Sequence, residues 1–539
     1  MKKAHKLLTL LLALALCILP FAGCSSDPSP STQPTTQPTT QSTTAPTETQ
    51  APTTEAPAPL TNAERYPLET DTVLRVLYTE DGLGETGASA VWEQATGVKV
   101  ENLTWNGEQM LTSLASGDIP DAILMPWDLP KELVYEYGTA GKFLDFSQYL
   151  DKMPNLSAMI EKYPEILDIC TYPDGAMYSL PKVAWGPTSQ GNVLYIRTDI
   201  LNELGWDNAP STTEEFLRYI KEAQEHYAGG DSEFVAFHCY NKTYMNWNVT
   251  NSLAAFFFPS FGDLIETGLT LDANGNVQLG AATEQYRLYL EYMNQIWNSG
   301  AFETEIYTLD SAAGKAVIQG NHCAVSAGTY SREFPSGNQD VTVMEPLTSE
   351  YQSEKRWMKV SPITYIGSVA NAACEDLDTL LAWLDACYAP ESDPLNAEGT
   401  LWSCSLSRGE KGVYWELSDD GLSYTTINGG VTNYYHALGS GDSLYYNKND
   451  EVKGKGTIEN ALPYAVNKSG LENLVLSTDD QDTYADIWTD MDSYISEMHG
   501  KFISGEEDIA AGWEAYLKNL EKMGLSELLD IFQNAYDAG

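Results

Sequence analysis

Two short stretches bring together side chains that could do chemistry at one place. "VLYTED" (76–81) carries Tyr78 and Glu80, and "AILMPWD" (122–128) carries Trp127 and Asp128. Aromatic faces beside carboxylates can hold a hydroxyl-rich solute by ring contact and hydrogen bonds. Two carboxylates facing each other about 5–10 Å apart could instead cleave a glycosidic bond. The chain has 76 acidic residues, so such a pair is available on numbers alone. Other chemistries lack their sequence signals. There is no G-x-S-x-G, no zinc-ligand spacing and no phosphate loop. "DANGNV" (272–277) has one feature of a calcium loop, Asp272. Its glycine stands fourth instead of sixth and no glutamate follows at twelfth, so a hairpin turn at Asn274-Gly275 is expected, and no cofactor or metal.

For Trp127 and Asp128 to share a rim with Tyr78 and Glu80, strands must deliver them there. Ala122 to Met125 are apolar without alternation and are bounded by turn residues, which predicts a strand buried on both faces. "TVLRVLYTED" reads as an earlier strand, "GASAVWEQATGVKVENLTW" as helix, turn and strand, and "EQMLTSLASGD" as a helix stopped at Gly117. This alternation predicts a parallel α/β sheet, whose ligands sit beyond the carboxyl ends of its strands. In "TTEEFLRYIKEAQEHY", Phe216, Leu217, Ile220 and Ala223 form a helical stripe, with Thr212 or Thr213 as cap. Trp92, Trp297, Trp383 and Trp513 lie in similar stripes and are expected in cores.

The N-terminal region has a different composition. "MKKAHK", then "LLTLLLALALCILP", then "FAGC" reads as a secretory signal (1–23), with Cys24 as the lipidated first mature residue. Residues 24–65 are rich in Thr, Pro, Ser and Gln and predict a disordered tether. Beyond it, the chain is long enough for two lobes. The formal net charge of -46 argues against nucleic acid and disfavours polyanionic ligands. The cysteines after Cys24 are far apart, and buried free thiols are expected.

Several ordered pieces carry a family resemblance: "ATGVKV", "LASGDIPDAIL", "DGAMYSLPKVAWG", "LYIRTDILNELGWDNAPSTTEEF", "EQYRLYLEYMNQIWNSG" and "KFISGEEDIAAGWEAYLKNLEKMGLSELLDIFQNAYD". The chain resembles the extracellular solute-binding proteins, family 1, of bacterial ABC importers. That group includes the maltose-binding protein and the long lipoproteins of oligosaccharide uptake. The resemblance implies an α/β, two-lobe periplasmic-binding-protein-like fold with three crossings and an interlobe cleft. Lobe 1 would take 66–182 and 344–394, and lobe 2 would take 183–343 and 395–539, with crossings near Leu180, Met344 and Pro394.

The resemblance also implies site residues. They are Tyr78, Glu80 and Asp81; Trp127 and Asp128; Tyr330 at the end of "SAGTYS"; and Trp185, Trp247, Trp402 and Arg408. Such a set suits a pyranose, with an apolar face for the rings and hydroxyls for the carboxylates and Arg. The implied protein is a lipid-anchored monomer that binds a neutral oligosaccharide without altering it and passes it to permease subunits. The rivals are a surface glycan-degrading enzyme and a glycan-capturing lipoprotein that lacks a permease.

Overall fold

The computed structural model describes residues 61–78, 87–124, 126, 129–183, 193–239, 241–249, 252–328, 340–359, 363–389, 412–413, 415–417, 423–427, 446–447 and 462–538. The strands used below are, in chain order, β1 (Val73–Tyr78), β2 (Lys99–Leu103), β3 (Ala122–Leu124), β4 (Leu180–Val183), β5 (Val193–Arg197), β6 (Phe237–His238), β7 (Leu269–Leu271), β8 (Val277–Leu279), β9 (Val325–Gly328), β10 (Val341–Val343), β11 (Trp357–Lys359) and β12 (Ile363–Ala370).

The first body is built on the sheet β2-β1-β3-β12-β4. Its β1, β2 and β3 are parallel, as the strand–helix alternation predicts. Ala122, Ile123 and Leu124 are all buried, which is why this strand shows no polar alternation. The helix before it, Gly107–Ser116, is capped by Asn106, which accepts from the Gln109 amide. It stops at Gly117, whose φ of 83° lets its N–H close on carbonyls of the last turn. The antiparallel strands β12 and β4 complete the sheet on its other side. Trp92 and Trp383 meet edge to face in the core of this body, with ring centroids 5.8 Å apart.

The first described residues are fastened here. Arg65 donates to Asp385 at 2.6 Å, Asn62 and Asn155 exchange amide hydrogen bonds, and the Tyr66 hydroxyl donates to the Ala382 carbonyl. Asp385 is fully buried and also accepts from the Leu156 amide, so its lone pairs are used despite the desolvation that raises its pKa.

The second body is built on the sheet β10-β5-β9-β6, in which β6 is parallel to β9 and the other pairs are antiparallel. Helix Thr213–Tyr227 buries Phe216, Tyr219, Ile220 and Ala223, the expected stripe with Tyr219 added and Leu217 at its margin. Thr212 caps it by accepting from the Glu215 amide. Helices Glu284–Trp297, Thr478–Ser504, Ile509–Lys522 and Leu525–Ala538 pack into the same core. Trp513 is buried there and Trp297 packs at its edge. The segment after β7 is a hairpin turn, as expected. Asp272 accepts from the amides of Asn274 and Asn276, and Gly275 takes a φ of 84°.

The chain leaves the first sheet after Val183 and enters the second at Val193. The return differs from the crossing expected near Met344. Met344 and Leu347 are buried in the second body, Thr213 donates to the Thr348 carbonyl, and β11 pairs with the strand Ala465–Asn467. The chain rejoins the first sheet only between Lys359 and Ile363. Met344 and Leu347, the apolar residues of this mixed stretch, pack on the second core, and a local pattern does not encode which core an apolar residue joins. The crossing expected near Pro394 lies outside the described residues. Cys170, Cys239, Cys323 and Cys387 are buried free thiols and Cys374 is half-buried, while Cys404 is outside the described residues.

Candidate functional site

Most of the expected site residues, Glu80, Asp81, Trp127, Asp128, Trp185, Tyr330, Trp402 and Arg408, lie outside the described residues, as does Cys24. Tyr78 is described in its backbone alone, as the last residue of β1. The strands that lead to these residues end side by side. Tyr78 pairs in register with Leu124, and Val193 with Gly328. The described strand ends Tyr78 and Leu124 are thus neighbours in the first sheet, and Val193 and Gly328 are neighbours in the second.

Trp247 is corrected from ligand contact to scaffold. It is 2% exposed, its indole N–H donates to Asp492 at 3.0 Å, and its ring tilts against Trp488 at 6.0 Å. Its carbonyl accepts from the Thr267 hydroxyl. This fixes Glu266-Thr267-Gly268, which is also bonded to the start of the next turn through Gly280→Gly268 and Ala281→Thr267. A Cβ at Gly268 would come within 2.6 Å of Asn248 Oδ1, so the Asn248 amide sits close over this backbone because no side chain intervenes.

The fixed segment forms one wall of a cavity of about 390 Å³ that draws its lining from both bodies. The first body contributes Pro130, Lys131, Glu132 and Tyr365. The second contributes, among others, Glu266, Lys468, Gln481, Tyr484 and Trp488. Tyr484 and Trp488 stand one turn apart on helix Thr478–Ser504 and stack with centroids 5.8 Å apart. Glu266 is buried, with one oxygen 3.2 Å from Lys468 Nζ and the other accepting from the Ser469 amide at 2.8 Å. Held this way, Glu266 presents a fixed hydrogen-bond acceptor. Gln481 Oε1 is buried and has no partner within the protein. The site thus offers an aromatic platform, an oriented carboxylate and an open amide acceptor.

Lys131 closes the floor between the bodies. Its Nζ donates to the Ile169 carbonyl at 3.1 Å in the first body and to the Asn473 carbonyl at 2.6 Å. It lies 5.5 Å from the Tyr172 ring centre and 5.7 Å from that of Tyr365. Burial lowers its pKa, against the opposing influence of Cys170 and Glu132. Residues 471–476 join the two cores. Leu471 and Leu476 belong to the second core, and Val475 packs on the first. A larger groove of about 850 Å³ beside Trp206 and Arg218 is walled by the second body alone, so movement of one body on the other cannot enclose a ligand there. Among the described residues, no three His, Cys, Asp or Glu side chains cluster as a metal site.

Sequence reasoning missed Lys131, Glu266, Lys468, Tyr484 and Trp488. A signal existed for the last two, an aromatic pair at i and i+4 on a helix otherwise rich in aspartate. Nothing local distinguishes Glu266 or Lys131 from solvated charges.

Comparison with known proteins gives four findings. Residues 89–329 match the model of the bacterial extracellular solute-binding protein family. The fructooligosaccharide ABC transporter substrate-binding protein FusA of Streptococcus pneumoniae is 24% identical over 473 residues, covering 83% of this chain and 85% of that protein. Its structure in complex with kestose superposes with a TM-score of 0.65 at 22% identity, over 86% of this chain and 99% of that one. An extracellular solute-binding protein from Bifidobacterium longum subsp. infantis gives a TM-score of 0.70 at 19% identity, over 86% and 98%. The two bodies are therefore the lobes of a periplasmic-binding-protein-like fold.

Proposed function

We propose that the chain is a bacterial extracellular solute-binding protein, the substrate-binding protein of an ABC importer that captures a neutral oligosaccharide between its lobes; its likeness to that family's model and to FusA supports this reading. The observation that carries this reading is the cavity lined from both lobes, with Tyr484 and Trp488 beside Glu266 and Gln481. Ring faces suit the C–H surface of a sugar, and the fixed acceptors suit its hydroxyls. The relatives support the ligand class, since FusA is the substrate-binding protein of a fructooligosaccharide ABC transporter and its structure is a complex with kestose. The strongly negative charge favours a neutral sugar over an acidic one.

In this reading the sugar is bound and released unchanged. A ligand that touches both lobes favours the closed arrangement by the difference in its affinity for the two states. Permease subunits then receive it. Lipidation at Cys24, with the residues before Thr61 as tether, holds the protein at the outer face of the membrane; the end of the expected tether, Asn62–Arg65, is instead a helical turn bonded to the first lobe. In this reading Tyr78, Glu80, Asp81, Trp127, Asp128, Trp185, Tyr330, Trp402 and Arg408 complete the site.

The test is calorimetry with kestose, fructo-nystose and Man5GlcNAc, followed by chromatography of the recovered sugar. Saturable binding of at least one, recovered intact, is expected. No binding of any would overturn the oligosaccharide reading, and a shortened sugar would make the protein an enzyme.

A further inference from the structure

A second cavity, of about 260 Å³, adjoins the interlobe one and shares three walls with it, Asn248, Glu266 and Lys468. Its other walls belong to the second lobe and include Ala255 and Met358. It falls just below the usual range for a whole-ligand pocket, roughly 300–1,000 Å³, and suits one sugar ring and not a chain of them. The Glu266 carboxylate stands at the boundary of the two spaces, 92% buried by its 8% exposure, and its position is fixed by Lys468 and the Ser469 amide. A fixed, buried carboxylate that borders both spaces calls for a hydroxyl-bearing guest in each.

We propose that this adjoining cavity is a subsite for a single sugar unit, and that Glu266 bridges successive units by accepting hydroxyls on both sides of the boundary. The proposal rests on the oligosaccharide reading above and adds to it a means of measuring length. A ligand that ends at the interlobe cavity meets only one side of Glu266. One that extends a unit further fills the adjoining cavity and gains the second set of contacts. Part of the wall is fixed in advance: Gly268 permits the close approach of Asn248, and the Trp247 carbonyl holds Thr267.

The test compares sucrose, kestose and fructo-nystose, which lengthen by one unit at each step, on the wild type, Ala255→Leu and Glu266→Gln. Ala255→Leu fills the small cavity from a wall that the interlobe cavity does not share. Wild-type affinity is expected to rise at one step of the series. Ala255→Leu should abolish that rise while leaving the shorter sugar's affinity intact. Glu266→Gln should weaken the longer sugar by about tenfold, the loss of a charge-assisted hydrogen bond, and the shorter one less. Thermal midpoints establish that both variants are folded. An unchanged length profile in Ala255→Leu overturns the subsite while the oligosaccharide reading stands. A wild type that binds none of the three but binds Man5GlcNAc moves the length test to Man1GlcNAc and Man5GlcNAc, with the same expected and refuting results. Binding of no glycan overturns both readings.

Discussion

His499 is fully enclosed in the second lobe, and burial lowers its pKa from 6.5 to about 3. Its Nδ1 shares a 2.7 Å hydrogen bond with the Tyr286 hydroxyl, and the rings of Tyr286 and Tyr289 stack on it. The imidazole is therefore neutral in the fold. The unfolded chain takes up a proton below pH 6.5 that the folded chain refuses until near pH 3, so stability falls as pH drops through this window. At 1.36 kcal/mol per unit, His499 alone removes about 2 kcal/mol between pH 7.5 and pH 5, and about 3 kcal/mol by pH 4. The assay is urea denaturation of the wild type and His499→Phe at those three values. The variant loses a fixed amount at every pH, because the Tyr286 hydroxyl is left unpaired at a cost of about 1–3 kcal/mol. The informative quantity is the difference in pH slope, in which depressed carboxylates common to both proteins cancel. Tyr286→Phe keeps the buried imidazole and should keep the wild-type slope. Equal slopes in the wild type and His499→Phe would refute the reasoning.

Three further outcomes are expected. Trp488→Ala should weaken the glycan that the wild type binds by about 1–3 kcal/mol in calorimetry, taking base stacking as the analogue, while Trp488→Phe keeps most of the affinity. Lys131→Met removes charged donors from the Ile169 and Asn473 carbonyls and should lower stability by about 2 kcal/mol, less than two full charged hydrogen bonds because a buried charge goes with them. Faster amide exchange across 471–476 should accompany that loss, and wild-type exchange there would count against the pin. Cys24→Ala should leave the protein unlipidated, released or unprocessed; fractionation identical to wild type would remove the anchor from the proposal.

Local features of the sequence carried the fold a long way. Ala122–Leu124 announces a doubly buried strand because three consecutive apolar residues allow no solvent face. Thr212 and the stripe from Phe216 to Ala223 announce a capped, half-buried helix. The turn at Asp272 was separable from a metal loop by the place of its glycine. Long-range partners were less legible. No pattern in Ile363–Ala370 says that it inserts antiparallel between β3 and β4, or that the preceding β11 belongs to the other lobe. The candidate site suffers most from this, since Lys131, Glu266, Lys468 and Trp488 come from four distant stretches and meet only after both lobes form. Trp247 shows the converse: an aromatic residue beside a second-lobe strand suggests a binding surface, yet it packs underneath one.

The attachment of Asn62, Arg65 and Tyr66 to Asn155, Asp385 and Ala382 has a mechanical meaning. Any tension arriving along the chain that precedes Thr61 enters the first lobe through these bonds and stops there. The load path bypasses Lys131, the 471–476 linkage and the cavity between the lobes. A pull applied at this end restrains one jaw and leaves the other free, so it neither pries the jaws apart nor clamps them shut.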